Sequence, residues 1–181
     1  MTATATPASS AAVGAATSPK QQFLDAYEKE HATTLRVLRA FPADKSELQP
    51  HPKIKPAREL AWIFTLERGL GAAVFQNALA GGVTGDGPPP APDTWDAVVA
   101  SYEKAHKEFG DLVRSTSDEQ LNEHVKFFVG PKTLGDWTRL QFAWFLLCDE
   151  IHHRGQLSVY LRMADGKVPS IYGPSADEPW L

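Results

Sequence analysis

The sequence predicts an all-α protein folded as a four-helix bundle. Four segments carry apolar residues at three- and four-residue intervals, which is the spacing of one buried helix face. Residues that favour helix starts precede these segments, and Pro- and Gly-rich stretches separate them. No long segment alternates apolar and polar residues as a half-buried strand does. Four such helices bury their apolar faces by packing against one another, which favours a bundle.

The first two helices are located by the residues at their ends. Ser18 and Pro19 suit the N-cap and the first helical position of helix one, and Pro42 ends that helix. The piece that follows is rich in proline and is expected to be a loop. Pro56 opens helix two, whose apolar residues continue to Phe75.

The third and fourth helices follow a Gly- and Pro-rich loop. Either Asp93 or Thr94 caps the third helix. An extended piece is expected around residues 125–129, and Thr133 then caps the fourth helix. That helix is predicted to reach Met163, giving about 30 residues and a length of about 45 Å.

Both ends of the chain are predicted to lie outside the helices. Residues 1–17 are rich in Ala, Thr and Ser and contain no Lys or Arg, which is typical of a flexible arm and not of a secretory signal. Residues 168–181 are rich in proline and are expected to form an ordered coil over the bundle. We therefore expect a flexible arm over residues 1–17 and one helical domain over residues 18–181.

Composition excludes several classes of partner. The chain has 181 residues, of which 43% are hydrophobic and 22% charged, a mix typical of a globular protein. Its net charge is −4 and it has no basic block, which argues against nucleic acid and anionic membranes as partners. No apolar run is long enough to span a membrane. The single cysteine, Cys148, allows no disulfide within the chain, so we expect a cytoplasmic protein.

The segment from Asp149 to Gln156 carries an unusual concentration of polar residues inside an apolar helix. It contains two acids, two histidines and an arginine. Asp149 and His153 are four residues apart and therefore share one helix face. A buried charge is costly unless it is paired or bound to metal. An imidazole beside a carboxylate suits zinc, nickel, iron or manganese, so this pair is a candidate half of a divalent metal site.

The remaining ligand must come from another helix, and a structural interpretation stays open beside the metal one. Glu67 is the only acid at the far end of the apolar stretch of helix two. In the structural interpretation, Asp149 binds no metal and forms an ordinary ion pair. Cys148 is expected to be a small, buried apolar residue. Histidines occur elsewhere in the chain at positions 31, 51, 106 and 124.

Two stretches resemble the DinB-like (DinB/YfiT) four-helix-bundle family. The first is Ile-His-His-Arg-Gly-Gln-Leu-Ser-Val-Tyr-Leu-Arg at residues 151–162, followed by a glycine turn and residues 168–177. The second, weaker one is residues 56–62 at the start of helix two. The resemblance covers residues 18–178 and implies an up-down-down-up bundle, often a homodimer. It also implies a divalent metal held by three histidines, one from helix two and two from the last helix.

This chain departs from that family pattern at two of the three ligand positions. His153 matches the second histidine of the last helix, whereas Asp149 stands at the place of the first. Ile63 stands at the histidine position of helix two and cannot bind a metal. Glu67 lies one turn further along that helix. The sequence therefore predicts either a variant metal site of Glu67, Asp149 and His153 or a hydrogen-bonded cluster without metal.

Two functions of different classes follow, and whether the protein is an enzyme stays open. The resemblance implies a metal-dependent enzyme of the thiol-transferase or isomerase type that acts with a small thiol or another small ligand. In that hypothesis His152, Arg154 and Gln156 lie on the substrate side or behind the metal ligands. The alternative is a metal-free, non-catalytic bundle that binds small molecules or acts in a stress response.

Overall fold

The computed structural model describes residues 17–77 and 87–181. The predicted arm lies outside the described residues except for Thr17, as does the part of the predicted loop at residues 81–86. The elements in chain order are α1 (Pro19–Ala40), a 3-10 turn (Ala43–Lys45), α2 (Ala57–Phe75), α3 (Trp95–Ser115), α4 (Asp118–Leu121), β1 (His124–Gly130), β2 (Thr133–Thr138) and α5 (Arg139–Met163). The mostly helical fold is confirmed.

Side-chain capping confirms the predicted starts of the first and third long helices. The Ser18 hydroxyl accepts a hydrogen bond from the backbone N–H of Gln21 (3.2 Å), and Pro19 is the first residue of α1. The Thr94 hydroxyl accepts from the N–H of Ala97 (3.3 Å) at the start of α3. These bonds satisfy amide groups that lack a partner within the first turn of a helix.

The fourth long helix begins later than predicted, because a β-hairpin occupies the expected start. β1 and β2 pair antiparallel from His124 opposite Thr138 to Gly130 opposite Thr133. Thr138 is the N-cap of α5, so the predicted start at Thr133 is wrong. Residues 133–138 combine Thr, Gly, Asp and Trp, which are weak helix formers, and they pair with the extended segment that precedes them. The helix has 25 residues.

The four long helices form a ring in which α1 and α2 each pack against α3 and α5. Lys20 at the start of α1 bonds the carbonyl of Thr116 after α3 (2.6 Å), so these helices are antiparallel. Arg139 at the start of α5 bonds the carbonyl of Phe75 at the end of α2 (3.1 Å), so these too are antiparallel. In α1 and α5, the early residues Phe23 and Trp144 meet (5.3 Å between ring centroids), so these two helices run in the same direction.

A layer of buried polar residues crosses the bundle between two apolar clusters. One cluster contains Val37 and Leu38 of α1 with Phe64 of α2, and the other contains Phe23 and Phe109. Every long helix contributes a polar residue between its two apolar stretches. The buried members are Glu30, Thr34, Glu67, Arg68, His106, Glu150 and Arg154. Because buried polar groups need partners, an ion or a ligand that binds inside the bundle is expected at this layer.

The C-terminal coil is held against α1 and α5. Arg36 of α1 pairs with Glu178 (2.5 Å), and Arg162 at the end of α5 pairs with Asp177. Among the described residues, no helix is both long and apolar enough to cross a membrane.

Candidate metal centre

Helices α2 and α5 bring together Glu67, Asp149 and His153. One potential ligand atom from each lies within 4.8 Å of the other two. Oε1 of Glu67 is 3.0 Å from Nδ1 of His153, and Oδ1 of Asp149 is 3.7 Å from the same nitrogen. Ligands about 2.1 Å from a tetrahedral ion lie about 3.4 Å from one another, so these spacings suit a metal. In residues 17–77 and 87–181, no other trio of His, Cys, Asp or Glu has this spacing.

An ion pair beside the trio sets how the two helices meet. Arg68 follows Glu67 on α2, Glu150 follows Asp149 on α5, and the two side chains form a buried ion pair. The pair therefore joins α2 to α5 one residue away from Glu67 and from Asp149. The pairing of Arg68 with Glu150 is not evident from the sequence, because an Arg and a Glu on different helices reveal nothing about their contact.

Glu67 is the most unusual member of the trio. Its side chain is 5% exposed, and its Oε2 is buried without a hydrogen-bond partner. Burial raises the pKa of Glu67 to about 7, against the opposing effect of the hydrogen bond to His153. The hydrogen bond to Glu67 raises the pKa of His153, while its partial burial acts the other way. A buried carboxylate oxygen without a partner is a group that a cation would satisfy.

The Glu150 carboxylate lies at the centre of the polar layer. Its Oε1 accepts hydrogen bonds from the hydroxyls of Thr34 (2.6 Å) and Tyr102 (2.7 Å), from α1 and α3 respectively. Burial raises the pKa of Tyr102 to about 12, so this phenol stays a hydrogen-bond donor at neutral pH. With Arg68 from α2, Glu150 therefore contacts every other long helix.

The three remaining residues of the polar segment point in different directions. His152 and Gln156 are exposed and hydrogen-bonded to each other (2.9 Å). Arg154 is buried and contacts Glu30 of α1 (2.7 Å) and the hydroxyl of Tyr172 in the C-terminal coil (2.7 Å). The structure therefore brings Arg154 to α1 and the coil and not to the trio.

The other histidines do not join the trio. His31 and His106 stack on each other with ring centroids 3.5 Å apart, and burial lowers the pKa of both to about 3. His124 pairs with Asp136 on the hairpin (3.0 Å), and His51 accepts a backbone hydrogen bond in the loop before α2. Cys148 is exposed, so its predicted burial is wrong: it lies on the outer face of α5.

A pocket of about 510 Å³ lies beside His153, and Ile63 forms part of its wall. Ile63 is one helical turn before Glu67, so both residues face the region between α2 and α5. The side chain that stands at the family's histidine position thus contributes an apolar surface, and Glu67 supplies the carboxylate one turn further on.

Comparison with known protein families adds evidence independent of this geometry. The sequence profile of the DinB superfamily matches residues 26–157. The chain belongs to the DinB superfamily.

Solved structures of DinB-like proteins share the fold. One from Bacillus cereus is 22% identical, with a TM-score of 0.65 over 83% of this chain and 95% of that protein. YjoA from Bacillus subtilis is 16% identical, with a TM-score of 0.63 over 88% of this chain and 99% of YjoA. At these identities the likeness establishes the DinB fold alone.

A curated relative matches this chain over a shorter stretch. YrdA of Bacillus subtilis (strain 168), described as uncharacterised, is 31% identical over 90 residues. The match covers 49% of this chain and 51% of YrdA, so it spans about half of either protein.

Proposed function

We propose that this DinB-superfamily protein binds one divalent metal ion through Glu67, Asp149 and His153 and is a metal-dependent enzyme of the thiol-transferase or isomerase type. The observation that carries the proposal is the convergence of three ligand atoms within 4.8 Å of one another, one of them on a buried carboxylate. The partnerless Oε2 of Glu67 supports it, because a cation would satisfy that oxygen.

The chemistry of the trio fits zinc, nickel, iron or manganese. Two carboxylates offset the charge of a divalent ion, and the imidazole of His153 supplies the nitrogen ligand that these metals accept. When bound, such an ion lowers the pKa of a thiol or water in contact with it. The protein itself holds the ligands on two helices that the Arg68–Glu150 pair joins at the same level. The pocket at His153 leaves space for a small substrate next to the ligands.

Elemental analysis and zinc titration of purified protein test the metal site. We expect one equivalent of metal per chain, and Asp149→Ala or His153→Ala is expected to weaken binding by at least about tenfold. His124→Ala and Asp136→Ala form the matched control, because they remove an exposed His–Asp pair (3.0 Å) that lies outside the trio. Protein that takes up no stoichiometric zinc, nickel, iron or manganese after loading overturns the proposal.

Cobalt-loaded protein tests the thiol part separately. We expect 2-mercaptoethanol to change the visible spectrum of the wild-type cobalt protein, whereas 2-methoxyethanol, which has no thiol, is expected to leave it unchanged. Stoichiometric metal with no spectral response to the thiol would retain the metal site and reject the thiol chemistry.

A metal-free structural role is the second candidate, and one contact favours it. Glu67 and His153 already hydrogen-bond each other directly (3.0 Å), which satisfies both groups in part without an ion. In that case Glu67→Ala leaves His153 without its partner and lowers stability. The two candidates separate in one measurement: unfolding of EDTA-treated and zinc-loaded protein, since only a metal site gives added stability with zinc.

A further inference from the structure

The pocket beside His153 has the size and wall of a small-molecule site. Its volume of about 510 Å³ lies within the range of about 300–1,000 Å³ usual for ligand pockets. Apolar side chains from α2, α5 and the loop before α2 form most of the wall. Two of these, Ile54 and Val159, are 42% and 58% exposed, so a ligand with an apolar body would remove them from water.

The wall is held in shape before any ligand arrives. The Tyr160 hydroxyl donates to the carbonyl of Lys55 (2.9 Å), which ties the loop to α5. Within the loop, Gln49 donates to the carbonyl of Ile54 (2.7 Å), and the N–H of Ile54 donates to the carbonyl of His51 (3.1 Å). A preformed wall reduces the entropy lost on binding.

The charged residues of the pocket are both positive. Lys53 and Lys55 line it, and none of its described lining residues is acidic. Lys53 forms no ion pair within residues 17–77 and 87–181. Lys55 has a single loose contact with Glu59 at 3.5 Å, and both of these side chains are about half exposed. Such an exposed pair contributes little, so both ammonium groups are available to an anion.

We propose that this pocket binds a small organic anion with an apolar body, of the class of medium-chain monocarboxylates. The apolar body lies against Leu60, Ile63 and Val159, and the carboxylate is neutralised by Lys53 and Lys55. Because His153 also lines the pocket, the bound molecule lies next to the metal ligands. The assignment of this anion as the substrate rests on the proposed metal-dependent function, whereas its binding depends on the pocket alone.

The test compares three six-carbon probes on EDTA-treated protein by NMR titration: hexanoate, hexan-1-ol and hexylamine. We expect hexanoate to bind at least fivefold more tightly than hexylamine, with amide shifts at Ile63 and Val159. The double variant K53Q/K55Q is expected to bring the two affinities within twofold of each other. K104Q/K107Q is the matched control, because it removes two lysines from α3 outside the pocket.

The outcomes separate this proposal from the metal site. Equal binding of hexanoate and hexylamine, or an unchanged hexanoate preference in K53Q/K55Q, overturns the anion assignment. Zinc titration of the same protein samples then reports on Glu67, Asp149 and His153 independently. Hexanoate selectivity in a protein that takes up no metal would reject the metal-dependent function and retain the anion site.

Discussion

Arg68 and Glu150 are charged side chains that are almost completely removed from water, at 1% and 0% exposure. Removing one member of a buried ion pair typically costs about 3–5 kcal/mol, because the other charge is left without a partner. Burying two charges is itself costly, so the presence of the pair says little about the net stability of the fold. It says more about the relative position of α2 and α5. It lies one residue away from Glu67 on α2 and from Asp149 on α5, so a shift of either helix that separates the trio also breaks the ion pair.

The stacked histidines make stability depend on pH. Burial lowers the pKa of His31 and His106 to about 3, whereas an unfolded chain has histidine pKa values of about 6.5. Between these values the unfolded chain binds more protons, so the free energy of unfolding falls as the pH falls below about 6.5. His31→Phe retains an aromatic ring beside His106 and removes one of these titrating groups.

Urea unfolding of EDTA-treated wild type and His31→Phe at several pH values between about 5 and 7.5 checks this expectation. The stability of the variant relative to wild type is expected to rise as the pH falls. Glu67 and His153 also have shifted pKa values, but they are present in both proteins and cancel in the comparison. Curves that stay parallel over the whole range would contradict the neutral, buried state of His31.

At the scale of elements, two glycines of α2 differ in what surrounds them. A Cβ added at Gly71 would lie 2.7 Å from a ring carbon of Phe109 in α3 and 3.0 Å from Leu146 in α5. A Cβ added at Gly69 would meet nothing within 4 Å. Gly71 is therefore a position at which α2 packs closely against α3 and α5.

Gly71→Ala is expected to destabilise the protein, whereas Gly69→Ala is expected to stabilise it. Replacing a glycine inside a helix by alanine gains about 0.5–1 kcal/mol, but overpacking a core costs about 1–3 kcal/mol. Only the Gly71→Ala variant overpacks the core. Chemical denaturation of the two variants measures both signs, with each variant serving as the control for the other. A stabilised Gly71→Ala protein would show that Phe109 moves aside freely.

The helices were predictable from sequence because their evidence is local. The caps at Ser18 and Thr94 and the repeated apolar positions lie within each segment. The hairpin was not predictable in the same way. Its extended first strand was expected, but β2 is defined by pairing with β1 and by the contact of Trp137 with Phe142 (6.2 Å between ring centroids). These contacts join residues of separate elements, and the six residues of β2 show no periodic pattern of their own.

At the scale of the whole molecule, the C-terminal coil covers the polar layer from the side of α1. The Tyr172 hydroxyl donates to Glu30 (2.7 Å) and accepts from Arg154 (2.7 Å), and the Arg154 guanidinium lies over the Tyr172 ring (5.2 Å to the centroid). The coil therefore supplies a hydrogen-bond partner to both members of a buried ion pair between α1 and α5.

Deleting residues 170–181 is expected to lower stability and to leave metal binding intact. The deletion removes the Tyr172 contacts to Glu30 and Arg154, and a buried polar group left without its partner costs about 1–3 kcal/mol. Glu67, Asp149 and His153 form no hydrogen bond or ion pair with the coil within the described residues. Thermal unfolding followed by circular dichroism, with zinc titration of the folded protein, measures the two effects. Loss of zinc binding by a deletion that still folds would contradict the separation of the coil from the metal centre.

All three residues of the candidate site were named from the sequence, but on grounds of unequal strength. Asp149 and His153 are four residues apart on one helix, so local geometry places them together. The contribution of Glu67 depends on how α2 and α5 align, and contacts between helices such as the Arg68–Glu150 pair cannot be read from the sequence. The pocket beside His153 could not be predicted from the sequence, because its wall combines residues of α2, α5 and a loop.

The placement of Ile63 and Glu67 on successive turns of α2 has a consequence for how such centres change during evolution. Two positions one turn apart on the same helix face both look into the space beside His153. Point mutations can then move the position of the ligating side chain from one helical turn to the next while the backbone stays in place. If a metal ion binds at this site, such substitutions would change the donor atoms offered to the ion while the fold stays the same.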